Sequence, residues 1–328
     1  MTERIRALLF GVGAIGAGIG RVAAERDDIA LAGAVDSAPD LSGRSLYDVL
    51  GLRRSGGLED APVYADAEEA LAAVKPQAVL HATGSYLPDV LPQLLACLRA
   101  GANVVSTCEE LSYPWRRHPE LAKQLDAEAK AHDVTVLGTG VNPGFVMDTL
   151  AVALSSVCQR VERVRLSRIV DVSTRREQLQ RKVGVGLTLE EFKERVASGR
   201  FGHVGLKESC WLLAEALGWQ LESLEETIEP VSGSDGRTAG MRQTAAGTLG
   251  GRAIIEALVQ MSTGAERPRD EIEIEGTPPV RLTIEGGVQG DLATAAIIVN
   301  AVPRVVRHAP GLVSMLDLPI VSGRGAAP

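Results

Sequence analysis

Over the first ~140 residues, short apolar runs alternate with stretches of helical composition, the spacing of a parallel α/β sheet. Ile5 to Phe10 is a compact apolar run that ends at Gly11; Ile15 to Arg26 is helical in composition, and Ile29 to Val35 is a second apolar run closed by Asp36. Strand, tight turn, helix and strand in that order open a doubly wound sheet. The pattern then predicts a helix over Asp66 to Val74, with Asp66 as its cap, a strand over Ala78 to Ala82 and a helix over Asp89 to Ala100. A strand over Asn103 to Thr107, a helix over Glu120 to His132 and a strand over Val134 to Leu137 complete the series.

The pattern changes near Gly140. Longer alternating strands follow, at Arg163 to Val172 and Arg252 to Met261, and Gly276-Thr277-Pro278-Pro279 links Glu271 to Glu275 with Val280 to Glu285 as a hairpin. Two helices interrupt them. One starts at the Thr188/Glu191 capping box, and the other runs from about Val204 to Leu217 and stops at Gly218. A last helix, about Asp291 to Val302, precedes an irregular tail. The predicted fold is α/β: a Rossmann doubly wound parallel sheet, plus a second α+β domain with an open mixed sheet and helices on one face. The boundaries read 1–140 for a dinucleotide-binding domain, 141–290 for a substrate and dimerisation domain, and 291–328 for a C-terminal helix and tail packing back near the first domain.

Composition narrows the function. The net charge of −8 argues against nucleic acid or an anionic membrane as partner, since both reward basic surfaces. Cys97, Cys108, Cys158 and Cys210 form no CxxC pair and suggest reduced thiols in a cytoplasmic protein. The five histidines show no metal-ligand spacing, so no metal site is expected. The first apolar run is short and leads into a glycine turn, so it reads as a strand and not a signal peptide.

Gly11-Val12-Gly13-Ala14-Ile15-Gly16 is GxGxxG, directly after a strand and opening a helix, with Asp36 about 20 residues beyond it. Gly11 permits the tight turn, Gly13 the approach of a pyrophosphate, and Gly16 close helix–strand packing, with the helix N-terminus, at Ala14 and Ile15, facing the phosphates. Asp36 suits the adenosine ribose hydroxyls and favours NAD; small Ser37 and nearby Arg44 leave NADP open. Thr83 and Gly84, after the fourth strand, lie where the backbone passes the nicotinamide half, and Asn142 offers an amide to the carboxamide or to substrate. His81 reads either as a satisfied strand-end histidine or as a catalytic group.

The next strand ends Ser106-Thr107-Cys108-Glu109-Glu110-Leu111-Ser112, with two carboxylates and no lysine. A lysine suits an alcohol or ketone. A carboxylate suits an amine, because loss of hydride leaves an iminium cation that an anion stabilises and whose ammonium precursor it can deprotonate. Glu109 is therefore the candidate acid/base. Candidates to touch substrate are Phe145 and Met147, which can wall an apolar pocket, His203, and Arg168. Arg168 falls on an apolar strand face with Val164, Leu166, Val170 and Val172. There it either pairs with an acid such as Asp148 or Glu208 or holds a substrate carboxylate.

Together, Gly11 to Gly16, His81 to Tyr86, Ser106 to Ser112, Asn142-Pro143-Gly144-Phe145, His203 to Leu206 with Glu208-Ser209, Val299 to Pro303 and Met315 to Pro319 resemble the 2,4-diaminopentanoate dehydrogenases and the related native amine dehydrogenases. Their N-terminal domain is similar to dihydrodipicolinate reductase. The resemblance implies a homodimer that interconverts an amine with a ketone and ammonia, with the catalytic carboxylate at Glu109. A cyclic-imine reductase, a carbonyl dehydrogenase and a non-catalytic NAD(P)-binding redox sensor stand as the other readings.

Overall fold

The computed structural model describes residues 4–52, 62–233 and 236–325; residues 1–3 and 53–61 of the expected first domain, 234–235 of the second and 326–328 of the tail lie outside them. In chain order the first stretch is β1 (Ile5–Phe10), α1 (Ala14–Ala24), β2 (Ile29–Val35), α2 (Leu46–Leu50), β3 (Val63–Tyr64), α3 (Ala67–Val74), β4 (Ala78–His81), α4 (Leu87–Arg99), β5 (Asn103–Ser106), a 3-10 turn (Glu109–Ser112), α5 (Pro119–Ala131) and β6 (Thr135–Gly138). The second is α6 (Thr149–Ser155), β7 (Arg160–Asp171), α7 (Glu177–Lys182), α8 (Leu189–Ala197), α9 (Leu206–Ala216), β8 (Ser223–Ser232), β9 (Thr238–Leu249), β10 (Arg252–Ser262), β11 (Arg269–Thr277) and β12 (Val280–Glu285). The chain ends with α10 (Gly290–Val305) and β13 (Gly311–Val313).

Two compact units result, residues 1–144 with 289–328 and residues 145–288. The first holds a seven-stranded sheet in the order β13-β6-β5-β4-β1-β2-β3, every pairing parallel. A parallel sheet covered on both faces needs apolar strands, which is why β1, past Arg6 near its start, reads Ala7-Leu8-Leu9-Phe10, all buried. Ala7 and Leu9 of β1 pack into one core with Ile19 of α1 and Ile298 and Val302 of α10. Leu8 and Phe10 pack into the other with Leu71 of α3, Leu94 of α4 and Leu125 of α5. The sheet is thus doubly wound. Asp66 caps α3 by accepting from the Glu69 N–H at 2.8 Å.

The second unit is a mixed six-stranded sheet, β12-β11-β7-β10-β9-β8, in which only the β7–β10 pairing is parallel. One face buries Val172, Met241 and Ile228 against Leu179 of α7 and Phe192 and Val196 of α8. The other carries half-exposed ion pairs, Arg165 with Glu256 and Glu273 among them. The Thr188/Glu191 capping box is present at the start of α8. Strands β8 and β9 do not stand out in the sequence, because β9 faces the core with Met241, Gln243 and Ala245, too little apolar bulk to mark it. Its backbone pairing with β8 and β10 makes it a strand. Helices α6 and α7 are likewise additions to the two expected; they are short and present few periodic apolar positions. No helix among the described residues is long and apolar enough to cross a membrane.

Candidate active site

The glycine turn is shaped by contacts that exclude side chains. Gly11 has φ +93°, and a Cβ on Gly16 would fall 1.9 Å from the Gly11 carbonyl oxygen. Gly13 differs: a Cβ there would meet nothing within 4 Å. No atom of the described residues demands its glycine, so the space in front of it suits a ligand that comes close to the backbone. Gly13 also begins α1 without a side-chain cap, and the first turn of α1 holds no acid. Gly13 and Ala14 are exposed, Ile15 half-buried. Open N–H groups at the positive end of an 11-residue helix are an anion site, and the residues fit a dinucleotide pyrophosphate.

Asp36, directly after β2, is fixed rather than mobile. Its carboxylate accepts from the Val12 N–H at 2.6 Å and the Ala38 N–H at 2.9 Å. A half-buried anion is thereby tied to the glycine turn, with Ser37 and Arg44 exposed nearby in sequence.

The loop after β4 lies against that turn, since a Cβ on Gly11 would meet the Ala82 carbonyl and the Thr83 methyl at 2.6 and 3.1 Å. Thr83 Oγ1 donates to Gln93 Oε1 at 2.5 Å. Gly84 packs on Val90, where a Cβ would sit 2.9 Å from the side chain. His81 is fully buried at the end of β4. Its Nε2 lies 2.9 Å from Gln93 Oε1, an atom that only accepts, so Nε2 carries the proton. Nδ1 then accepts from the Ser106 hydroxyl at 2.8 Å, and Ser106 Oγ in turn accepts from the Cys108 N–H at 3.1 Å. Both ring nitrogens are satisfied, and burial depresses the imidazole from 6.5 to about 4. His81 is a neutral structural histidine tying β4 to β5.

This has a consequence for stability. Between pH 6.5 and about 4 the unfolded histidine takes up a proton that the folded one refuses, so the stabilisation present above 6.5 is lost as pH falls through that window. The size is about 3 kcal/mol. Thermal melts from pH 7 to 4 should show a steeper decline for the native chain than for His81→Gln, which does not titrate; parallel curves would refute this.

The two acids after β5 have different surroundings. Glu110 is buried. Its Oε2 accepts from the Leu87 N–H at 2.8 Å and lies 2.8 Å from His118 Nε2, with Arg117 Nε 3.7 Å from Oε1. It caps α4, whose own N-cap residue Tyr86 makes no side-chain cap. Its neighbour Glu109 is half-buried at the start of the 3-10 turn. The turn is clamped to the β4 loop, because Glu110 N–H and Cys108 Sγ both approach the Ser85 carbonyl, at 3.3 Å each. Gly138 at the end of β6 packs on Leu111. Beyond it come Thr139, whose buried hydroxyl finds no partner among the described residues, and Asn142, 8% exposed. The glycine turn, Thr83, Glu109 and Asn142 thus all belong to loops at the carboxyl edge of one parallel sheet, where such sheets bind ligands.

The remaining candidates lie in the second unit. Phe145 is half-buried and Met147 fully buried. Arg168 does face the buried side of β7, but its acid is neither Asp148 nor Glu208: Arg168 Nη1 donates to Asp270 Oδ2 at 2.7 Å and Nη2 to the Val288 carbonyl at 2.7 Å. Asp148 instead accepts from Ser209 Oγ at 2.7 Å. Asp270 stands directly opposite Arg168 on β11. Its alternation with Ile272 and Ile274 was the available signal for an inward acid. His203 is held at its backbone by Gln243, with Nε2 sealed from solvent. Burial and the Lys182 and Arg168 charges push its imidazole down from 6.5 to about 3.

The C-terminal half, residues 145–325, matches the family model described as the 2,4-diaminopentanoate dehydrogenase C-terminal domain. The chain belongs to the 2,4-diaminopentanoate dehydrogenase family. It is 30% identical to the 2,4-diaminopentanoate dehydrogenase of Acetoanaerobium sticklandii, over 97% of this chain and 94% of that one. It is 25% identical to an amine dehydrogenase of Streptomyces virginiae, over 96% of each. Among solved structures, the amine dehydrogenase of Mycobacterium smegmatis superposes with a TM-score of 0.86 at 28% identity, covering 98% of both chains. A dihydrodipicolinate reductase from Paenisporosarcina shares the fold, with a TM-score of 0.52 at 14% identity. As a member of the 2,4-diaminopentanoate dehydrogenase family, the chain is an oxidoreductase.

Proposed function

We propose that this chain is an NAD(P)-dependent amine dehydrogenase that interconverts a small amine with a ketone and ammonia, with Glu109 as acid/base. The observation that carries the reading is the division of labour between the paired acids. Glu110 is buried as the cap of α4, and Glu109 is the half-buried acid of the pair, in a turn at the sheet's carboxyl edge without a lysine.

The nicotinamide supplies or takes the hydride when bound. Glu109 takes a proton from the substrate ammonium, freeing the nitrogen lone pair that drives hydride loss. The iminium cation that results is stabilised by the same carboxylate, and water then adds to its carbon and ammonia departs. In reverse, Glu109 holds ammonia and returns the proton. Gly11, Gly13, Ala14, Ile15 and Gly16 would cradle the pyrophosphate, Asp36 and Ser37 the adenosine ribose, and Thr83, Gly84 and Asn142 the nicotinamide half. Phe145, Met147, Arg168 and His203 are the substrate-side residues of this reading. A homodimer in the cytoplasm goes with it, and light scattering reads the assembly state. NADH oxidation with ammonia and a panel of ketones tests the activity.

The anchored Asp36 supports NAD over NADP, since a fixed anion accepts from ribose hydroxyls and repels a 2′-phosphate. Asp36→Ala should weaken NAD and move the preference toward NADP. Steady-state constants for both cofactors check it, and an unchanged ratio would mean that Asp36 does not face the ribose.

A further inference from the structure

The hydrogen-bond network at the end of β4 lies wholly within the first unit and reaches both loops that the proposed chemistry uses. Gln93 Oε1, on α4, accepts twice, from the Thr83 hydroxyl at 2.5 Å and from His81 Nε2 at 2.9 Å. Thr83 Oγ1 lies 3.0 Å from the same Nε2 and shares its proton as a second acceptor. On the other side of the ring, Nδ1 accepts from the Ser106 hydroxyl at 2.8 Å, and Ser106 Oγ accepts from the Cys108 N–H at 3.1 Å. His81 and Ser106 are fully buried, whereas Thr83 is exposed and Glu109 half-buried. A buried chain therefore joins two groups at the carboxyl edge of the sheet.

Each end of the chain has a consequence. At Thr83 the one hydroxyl proton is spent on Gln93, so the exposed oxygen offers a ligand a lone pair. The Thr83 methyl stands beside the glycine turn, 3.1 Å from where a Cβ on Gly11 would sit. An acceptor in that place suits an amide N–H donor such as a nicotinamide carboxamide. At the other end, Cys108 directly precedes Glu109, and its N–H bond to Ser106 Oγ holds the entrance of the 3-10 turn. A reacting group is only as well placed as the neighbours that hold it, and small displacements cost rate.

We propose that His81 is a positioning residue with two arms: through Nε2 it fixes the Thr83 hydroxyl as the acceptor for the nicotinamide carboxamide, and through Nδ1 and Ser106 it sets the turn that carries Glu109. This rests on the amine dehydrogenase reading and adds to it a residue that serves the reaction without touching substrate or cofactor.

The arms can be cut one at a time. Glutamine carries an amide N–H at the reach of Nε2 and leaves Ser106 without its acceptor; asparagine carries an amide oxygen at the reach of Nδ1 and falls short of Gln93 and Thr83. Fluorescence titration compares NADH with its acetylpyridine analogue, in which a methyl replaces the carboxamide nitrogen. The native chain should prefer NADH about tenfold, the scale of one hydrogen bond. His81→Asn should lose most of that preference through weaker NADH binding, with backbone hydrogen exchange over residues 106–112 slow as in the native chain. His81→Gln should keep the preference, exchange faster over 106–112, and lose mainly kcat, about tenfold at saturating NADH with ammonia and a ketone. Ser106→Ala cuts the second arm without touching the histidine, should behave as His81→Gln does, and serves if either histidine variant fails to fold. Equal effects of the Asn and Gln variants, as a purely structural histidine would give, would overturn the proposal. So would equal binding of NADH and its analogue by the native chain, or unchanged exchange in both His81→Gln and Ser106→Ala. No turnover of any ketone by the native chain, with the binding and exchange split intact, would count against the amine chemistry and not against the role of His81.

Discussion

Glu109→Gln is expected to cut turnover at least about 100-fold while leaving cofactor affinity nearly intact, the scale of losing a general acid/base. Glutamine keeps the size of the side chain and its place in the 3-10 turn after β5, but it can neither take a proton nor oppose an iminium charge. Glu110→Gln is the control. Glu110 caps α4 through the Leu87 N–H and touches His118, so its loss should lower the melting temperature more than the rate. Steady-state kinetics, cofactor titration and melting of both variants separate the roles. Most activity retained in Glu109→Gln, with loss in Glu110→Gln, would move the role to the neighbour. Retention in both would sink the amine mechanism.

Arg168→Met should be the most destabilising of the substitutions considered. It strips the cation from a carboxylate that is 2% exposed, and breaking a buried pair from one side costs about 3–5 kcal/mol. Burial pushes the Asp270 carboxyl up and the adjacent Arg168 charge pulls it back, so the carboxylate depends on the guanidinium to stay charged. The melting temperature should fall on the order of 10 °C. Arg168→Met/Asp270→Leu should recover most of the loss, because it leaves no stranded charge. If Arg168 instead serves only to hold a substrate carboxylate, Arg168→Met would leave melting unchanged and raise KM for a keto acid alone. Melting curves of the single and double variants, with KM for a keto acid and a ketone of matched length, decide between the two.

How much of this was legible beforehand follows from the range of each interaction. Local period and punctuation determined most of the first unit, though not α2, β3 or the edge strand β13 in the expected irregular tail: the run at β1, the glycine turn, Asp36 about 20 residues on, and the strand ends that carry Thr83 and Glu109. Caps are local as well, so Asp66 and the Thr188/Glu191 box could be read from spacing. The pair of acids without a lysine, on which the proposed chemistry rests, was also present in one short stretch. What the sequence by itself left open was which acid of the pair is used up, what Arg168 pairs with, and whether His81 reacts. Those answers depend on partners distant in the chain: Glu110 meets Leu87 across 23 positions, His81 meets Ser106 across 25, and Arg168 meets Asp270 across 102. Only strand register and loop packing bring such groups within 3 Å, and burial then decides which charges persist and which proton His81 keeps. Strands β8 and β9 belong with these. Their residues carry too little apolar contrast to announce a strand, and it is the neighbouring backbone, supplied by the tertiary fold, that makes them part of the sheet.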